Sequence, residues 1–274
     1  MTLQALDGLK VLDLGDYVSG PYCTKMLASF GAEVIKVEKP GEGDSSRRMG
    51  PFPGDEAHPE KSGAFLYLNT GKKSITLNIK TATGLKILKD LIRNSDILVE
   101  NFQPGVMADL GLDPAILEKE NPRLIVASIT GFGQNGPYRD YKMSSIVGYA
   151  LGGHQYIIGE PDREPLQGAG PQPEYQGGLH AFFGIMAALY SREETGRGQH
   201  IDVSIMECMT GFHQFTIIRY TYGGEIKPRS GNRYESTYPV TIYPCKDGHV
   251  ALSASSVQQQ ELLYALIGKP EIAE

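Results

Sequence analysis

One carboxylate stands out for its setting. In PEYQGGLHAFFGIMAALYSREETGRGQ, Pro173 to Gln199, Glu174 lies just ahead of a long apolar helical segment. A helix start welcomes an acid, because its unpaired N–H groups and its dipole stabilise negative charge. The same setting keeps a carboxylate ionised, the form that attacks an electrophilic carbon. Glu174 therefore has three readings: a helix-start residue, a nucleophile, or the remnant of one. A second group could bind an anion. Lys36, Lys39, Arg47 and Arg48 surround the segment PGEGDSSR. A glycine-bearing loop after a strand, with cations beside it, suits a phosphate or a phosphoadenosine group. The plainer reading of that loop is a solvated surface.

Other chemistries find no support in the pattern. There is no GxGxxG after the first apolar run and no GxxxxGK[ST], so a dinucleotide site or a P-loop is not expected. GxSxG is absent, which disfavours a serine hydrolase. The six histidines, His58, His154, His180, His200, His213 and His249, lack ligand spacing, and no metal is expected. His180, within the apolar segment, reads as a core or interface histidine. The three cysteines, Cys23, Cys208 and Cys245, form no CxxC pair and read as thiols of a reducing compartment. A net charge of −6 argues against a general nucleic-acid role, though not against a small anionic ligand. The start MTLQALDGLK lacks the regions of a signal peptide, and no apolar run nears the ~20 residues of a membrane span. The expectation is a soluble cytoplasmic protein, with no membrane and no nucleic acid among its partners.

The elements that must position these residues alternate. LKVLDLG reads as a buried strand, followed by a helix capped by Ser19 with Pro21 near its first turn. AEVIKVE is the next strand, completing a βαβ unit. SITLNI, DILVEN, RLIVASITGFG and QHIDVSIM read as further strands, with helices in TATGLKILKDLIRNS, in DPAILEKEN and in the apolar segment. This order predicts an α/β fold: an open, mostly parallel, Rossmann-like sheet with helices on both faces. Ligands of such sheets sit beyond the carboxyl ends of the strands. The loops there are 38–48, 100–105 and 130–142. Residues 156–178, rich in Gly, Pro and Glu, read as one long loop. PVTIYPCKDGHVALSA reads as a hairpin turning at Lys246-Asp247-Gly248, followed by a helix. The expected domains are 1–226, large and ligand-binding, and 227–274, the start of a smaller α+β domain. One hairpin and one helix make too small a core, so a truncated chain, or one completed by a partner, is expected.

Taken together, the stretches LDGLKVLDLG, SGPYCTKMLASFGAEVIKVEKPGEGDSSR, LNTGKKSITLNIK, ILVENFQPGVMADLGL, NPRLIVASITGFGQNGPY and GIMAALYSREETGRGQHIDVSIMEC resemble the class III CoA-transferases, such as the formyl-CoA and carnitine CoA-transferases. KPRSGNRYESTYPVTIYPCKDGHVALSA is similar to the family's small domain. The resemblance implies coenzyme A or acyl-CoA as a substrate, an organic acid as its partner, and no metal. It also implies longer chains that interlock as dimers, either homodimers or heterodimers with a paralogous subunit.

The family's nucleophile is an aspartate that attacks the acyl-CoA thioester. Counted back without a gap from Gly196-Arg197-Gly198-Gln199, its position falls on Glu174, which keeps the functional group with one more methylene. The resemblance places CoA contacts at Val18, Ser19, Lys39, Leu77, Asn78, Lys80, Asn101 and Phe102. Gln103 stands where relatives often carry a basic residue, as does Asp109, and Lys142 matches a frequent basic contact. Met143, Ser144 and Ser145 continue that wall, the serines replacing the usual aromatic and acid. Three activities follow: a transferase using Glu174, a non-catalytic subunit whose sister chain carries the aspartate, or an acyl-CoA racemase. The last is disfavoured, because such racemases carry a histidine where Ser144 stands. An unrelated α/β ligand-binding protein is the remaining alternative.

Overall fold

Short runs of Val, Ile and Leu separated by helical spacing build one parallel sheet. The computed structural model describes residues 4–234 and 237–273, so Glu235 and Ser236 of the small-domain motif, Met1–Leu3 and Glu274 lie outside the described residues. In chain order the first elements are β1 (Lys10–Asp13), α1 (Ser19–Ser29), β2 (Glu33–Glu38), α2 (Gly63–Leu68), β3 (Lys73–Thr76), α3 (Ala82–Arg93), β4 (Ile97–Glu100), α4 (Val106–Asp109), α5 (Pro114–Glu120) and β5 (Ile125–Thr130). They are followed by α6 (Ser145–Leu151), α7 (His154–Ile157), α8 (Gln172–Thr195), β6 (His200–Ser204), α9 (Ile205–Thr210), α10 (Gln214–Gly223), β7 (Val240–Cys245), β8 (Gly248–Ser253) and α11 (Val257–Leu266).

The strand order is β3-β2-β1-β4-β5-β6, and every pair in this sheet is parallel. The order reverses between β1 and β4. In a sheet of this kind that reversal opens a crevice past the strand ends.

Alternation along the strands divides the core in two. Val11, Ile97, Val99, Ile125, Ala127 and Ile129 point to one face, against Cys23 and Leu27 of α1 and Ala181, Ile185 and Ala188 of α8. Leu12, Leu98 and Val126 point to the other, against Leu88 and Ile92 of α3 and Leu117 of α5. Near-continuous apolar strands are what a sheet covered on both faces requires. The helix starts follow side-chain chemistry: Thr81 accepts from Gly84 N–H to cap α3, and Asp113 caps α5 ahead of Pro114.

The chain forms two compact units. One takes the residues up to Gly152 with Ala169–Phe212; the other takes Gly153–Gly168 with the residues from His213 on. The second unit holds the antiparallel pair β7–β8, where Cys245 faces Gly248 across a turn at Lys246-Asp247, and α11, closed by a Ser256–Gln259 capping box.

Two local expectations are corrected. Ser19 is not the cap of α1. Val18 holds that position without a side-chain cap bond, and Ser19 is the first helical residue. Nor is 156–178 one loop, because α7 reaches Ile157 and α8 begins at Gln172. Proline and glycine made the segment look irregular. Pro173, however, sits in the first turn of α8, where a missing N–H costs nothing.

Candidate active site

Glu174 occupies the first turn of α8, inside the helix rather than ahead of it. It is 8% exposed. Its carboxylate accepts from Ser145 Oγ at 2.7 Å to Oε1 and 2.9 Å to Oε2. Ser145 opens α6, so two helix starts meet over this acid. Tyr17 and Tyr149 border it. Burial raises the pKa of both phenols and the charge of Glu174 raises it further, so they stay protonated beside the carboxylate.

Close packing of α8 on α1 holds Glu174 there. Tyr175 meets Tyr22 edge to face, with ring centroids 4.8 Å apart. One turn after Glu174, a Cβ on Gly178 would lie 2.5 Å from Ser19 O, so only glycine permits this approach. Tyr17, in the turn between β1 and α1, has φ of +68°, a left-handed conformation costly for a side chain with a Cβ. Tyr17 N–H donates to Asp44 Oδ1 at 3.3 Å, which helps to hold the turn in that conformation.

A cleft of about 660 Å³ opens past the ends of β1, β2, β3 and β4, at the reversal of strand order. Gly15, Asp16, Lys39, Asn78, Lys80 and Asn101 are among its lining residues. Asn101 ties the rim together. It accepts from Asp16 N–H at 2.8 Å, and its amide donates to Asp16 O at 2.8 Å and to Ser19 Oγ at 2.9 Å.

The acids around the cleft are neutralised from within. Glu38 takes a two-point contact from Arg47, at 2.6 Å and 2.9 Å. Burial pushes its carboxyl up, but the bonds from Arg47, Ser74 and Asp44 N–H outweigh this and bring it down to about 2. Lys36 Nζ lies 2.7 Å from Asp44 and 3.9 Å from Asp13. Asp13 is fully buried and also binds Lys72 at 3.0 Å and Thr24 at 2.7 Å. Burial raises the pKa of Asp13, and the two lysines more than reverse it. Of the four cations expected to meet an anion, Lys36 and Arg47 are thus bound to acids, and Arg48 donates to Glu42 O. Lys39 and Lys80 are exposed on the cleft wall, and among the described residues neither is held in an ion pair.

Residues 6–274 match CoA-transferase family III. The chain belongs to that family. It is similar to the acetyl-CoA:oxalate CoA-transferase of Acetobacter aceti, at 38% identity over 97% of this chain and 68% of that protein. It is also 36% identical to the β subunit of the succinyl-CoA–L-malate CoA-transferase of Chloroflexus aurantiacus, over 99% of this chain and 67% of the relative. Its fold superposes on a CAIB/BAIF family protein from Brucella suis with a TM-score of 0.88 and 35% identity, covering 99% of this chain and 72% of that one. The chain spans about two thirds of the length of the curated relatives it matches.

Within this family III chain, the residues singled out by resemblance fall into three places. Lys39, Leu77, Asn78, Lys80, Asn101 and Phe102 share the large cleft. Val18 and Ser19 are buried at the start of α1 and do not line it; Ser19 Oγ accepts from the Asn101 amide. Gln103 lines a separate pocket of about 150 Å³ with Glu100, Ser128, Arg139 and His200. Ser145 meets Glu174, and Met143 packs against Gly131. Lys142 and Ser144 are exposed beside them. Sequence reasoning missed Tyr17, Tyr149 and Glu100. A lone tyrosine or a strand-end glutamate carries no spacing signal. Only the placement of a turn or a strand end reveals its neighbours.

Proposed function

We propose that this chain is a CoA-transferase that moves CoA between an acyl-CoA thioester and a carboxylic acid, with Glu174 as the nucleophile. The observation that carries the reading is the buried Glu174 carboxylate at two helix starts, bonded by Ser145, in a chain of this family. The cleft supports it, because Lys39 and Lys80 on its wall, neither in an ion pair among the described residues, are suited to phosphate groups. In this reading Lys39 and Lys80 attract the phosphates, and Asn101 holds the rim.

In this reading a Glu174 oxygen attacks the thioester carbonyl carbon, the C–S bond breaks, and CoA leaves as thiolate. The thiolate then attacks the Glu174 carbonyl of the resulting anhydride, and the first acid leaves as carboxylate. The acceptor carboxylate attacks the Glu174–CoA thioester, and the released thiolate attacks the new acyl group, restoring Glu174. Each step exchanges one nucleophile for one leaving group, with no net proton change. Ser145 fixes the carboxylate, and the protonated phenols of Tyr17 and Tyr149 are donors for oxyanions formed beside it. Mixing the chain with acyl-CoA and hydroxylamine should convert Glu174 to its hydroxamate, read by mass spectrometry. An unmodified Glu174 in a chain that turns over acyl-CoA would sink this assignment.

A second reading is a subunit of a heteromeric transferase. It is favoured by similarity to both the α and the β subunits of the succinyl-CoA–L-malate CoA-transferase of Chloroflexus aurantiacus. Transfer that appears only when a sister chain is added, with Glu174 unlabelled, would select it. A racemase is disfavoured by Ser144.

A further inference from the structure

Glu100 is the last residue of β4, and the next two residues line the large cleft. Strand alternation sends its side chain to the α3/α5 face, opposite to that of Asn101. The turn after β4 is therefore held from both faces of the sheet. On one, Asn101 is tied to Asp16 and Ser19. On the other, Glu100 Oε2 accepts from Phe102 N–H at 2.8 Å. Glu100 is 1% exposed, and among the described residues no cation pairs with it. Its surroundings are polar but sparse. Ser128 lies within bonding reach of the carboxylate and is 2.9 Å from His200 Nε2. Asp113 at the start of α5, Arg139 after β5 and His200 on β6 line the same pocket, with burial lowering the pKa of His200, and the charge of Asp202 on β6 also reaches Glu100. Arg139 is engaged with Asp140 at 3.1 Å. A strand end that needed only packing would carry an apolar residue here; a buried, unpaired carboxylate implies work for its charge.

We propose that Glu100 is a positioning residue for the acyl-CoA cleft, whose ionised carboxylate grips the Phe102 N–H and whose protonation loosens the Asn101–Phe102 turn. The proposal rests on the CoA-transferase reading above. Burial pushes the Glu100 carboxyl up, Ser128 and the Phe102 N–H pull it back, and Asp202 raises it again, leaving it at about 6. The loosening therefore falls within reach of ordinary assays. A charge-assisted bond to a backbone N–H exceeds a neutral one by an amount worth about fivefold to tenfold in affinity.

The test is the pH dependence of KM for acyl-CoA and of kcat in the wild type, Glu100→Gln and Ser128→Ala. The wild type should show KM rising as pH falls through about 6, with kcat steady. Glu100→Gln, a neutral side chain of the same shape, should have the raised KM already at neutral pH and a flat profile. Ser128→Ala, which removes a donor to the carboxylate, should move the rise to higher pH. It also reads the proposal should Glu100→Gln not fold. Wild-type and variant profiles that coincide would overturn it. Calorimetry with free CoA separates the two levels: a wild type that binds no CoA defeats the functional reading, whereas equal CoA binding by wild type and Glu100→Gln at neutral pH defeats the role of Glu100.

Discussion

In the proposed reading Glu174 stands where the family keeps an aspartate, one methylene shorter, and its carboxylate is held by Ser145 in the first turn of α8. If the site is built around the longer side chain, Glu174→Asp withdraws the carboxylate by ~1 Å or more. Transfer should then fall on the order of 10²-fold in kcat. Steady-state rates with a fixed acyl-CoA check this, and an equal or faster Glu174→Asp enzyme would mean that the extra methylene is only tolerated. Glu100 carries a second residue-scale prediction. Its pKa is raised in the folded chain, so its ionisation opposes folding. The stability it permits is complete below the ordinary carboxylate value near 4.5 and is lost as pH rises through about 6. Glu100→Gln removes that loss. Its stability relative to wild type should grow by about 2 kcal/mol from acid to neutral pH, measured by urea unfolding. A residue that raises affinity while lowering stability fits the trade-off expected of a working site.

At the scale of elements, the seam between α1 and α8 aims the carboxylate. A Cβ on Gly178 would sit 2.5 Å from Ser19 O and 3.3 Å from Cys23 N, both backbone atoms that cannot turn away. Gly178→Ala should push α8 outward, cost about 1–3 kcal/mol in stability, and lower transfer beyond what unfolding explains. Thermal melting beside kcat at a temperature where the variant stays folded separates the two effects. The Asp13–Lys36–Lys72–Asp44 cluster braces the turn between β1 and α1, where Lys36 donates to Gly15 O and Asp44 accepts from Tyr17 N–H. Replacing Lys36 by Met should cost about 3–5 kcal/mol, because it leaves two buried carboxylates short of a partner. Equilibrium unfolding reads that loss directly.

For the whole molecule, net charge is −6, yet the proposed substrate is a polyanion. Binding must then depend on a local field set against the general one. KM for acyl-CoA should rise with ionic strength, and Lys39→Ala with Lys80→Ala should raise KM at low salt and flatten that dependence. A slope unchanged in the double variant would remove these lysines from the phosphate site. The division into units is also a property of the whole chain. The unit boundary at Phe212/His213 lies before the 226/227 boundary expected from composition, and residues 153–168 join the later unit. Composition marks where a chain bends easily, but contacts made far along the sequence decide which unit a segment joins.

Much of this protein was legible without coordinates. Apolar runs of strand length alternating with helical periodicity determined a parallel sheet covered on both faces, because each run must bury both its sides. The order of motifs pointed to the family, and the ungapped count from Gly196 supplied Glu174 as the candidate on which the proposed function rests. Folding alone decided the rest. It consumed Lys36 and Arg47 in ion pairs and left Lys39 and Lys80 at the cleft. It drew Pro173 and Gly178 into a helix that sequence read as a loop. It also set Tyr17, Tyr149 and Ser145 around one carboxylate, and Glu100 behind the turn that lines the cleft. The physical reason is common to all of these. A charge or a hydroxyl acts on whatever lies within a few ångströms, and those neighbours come from strands and helices tens of residues apart.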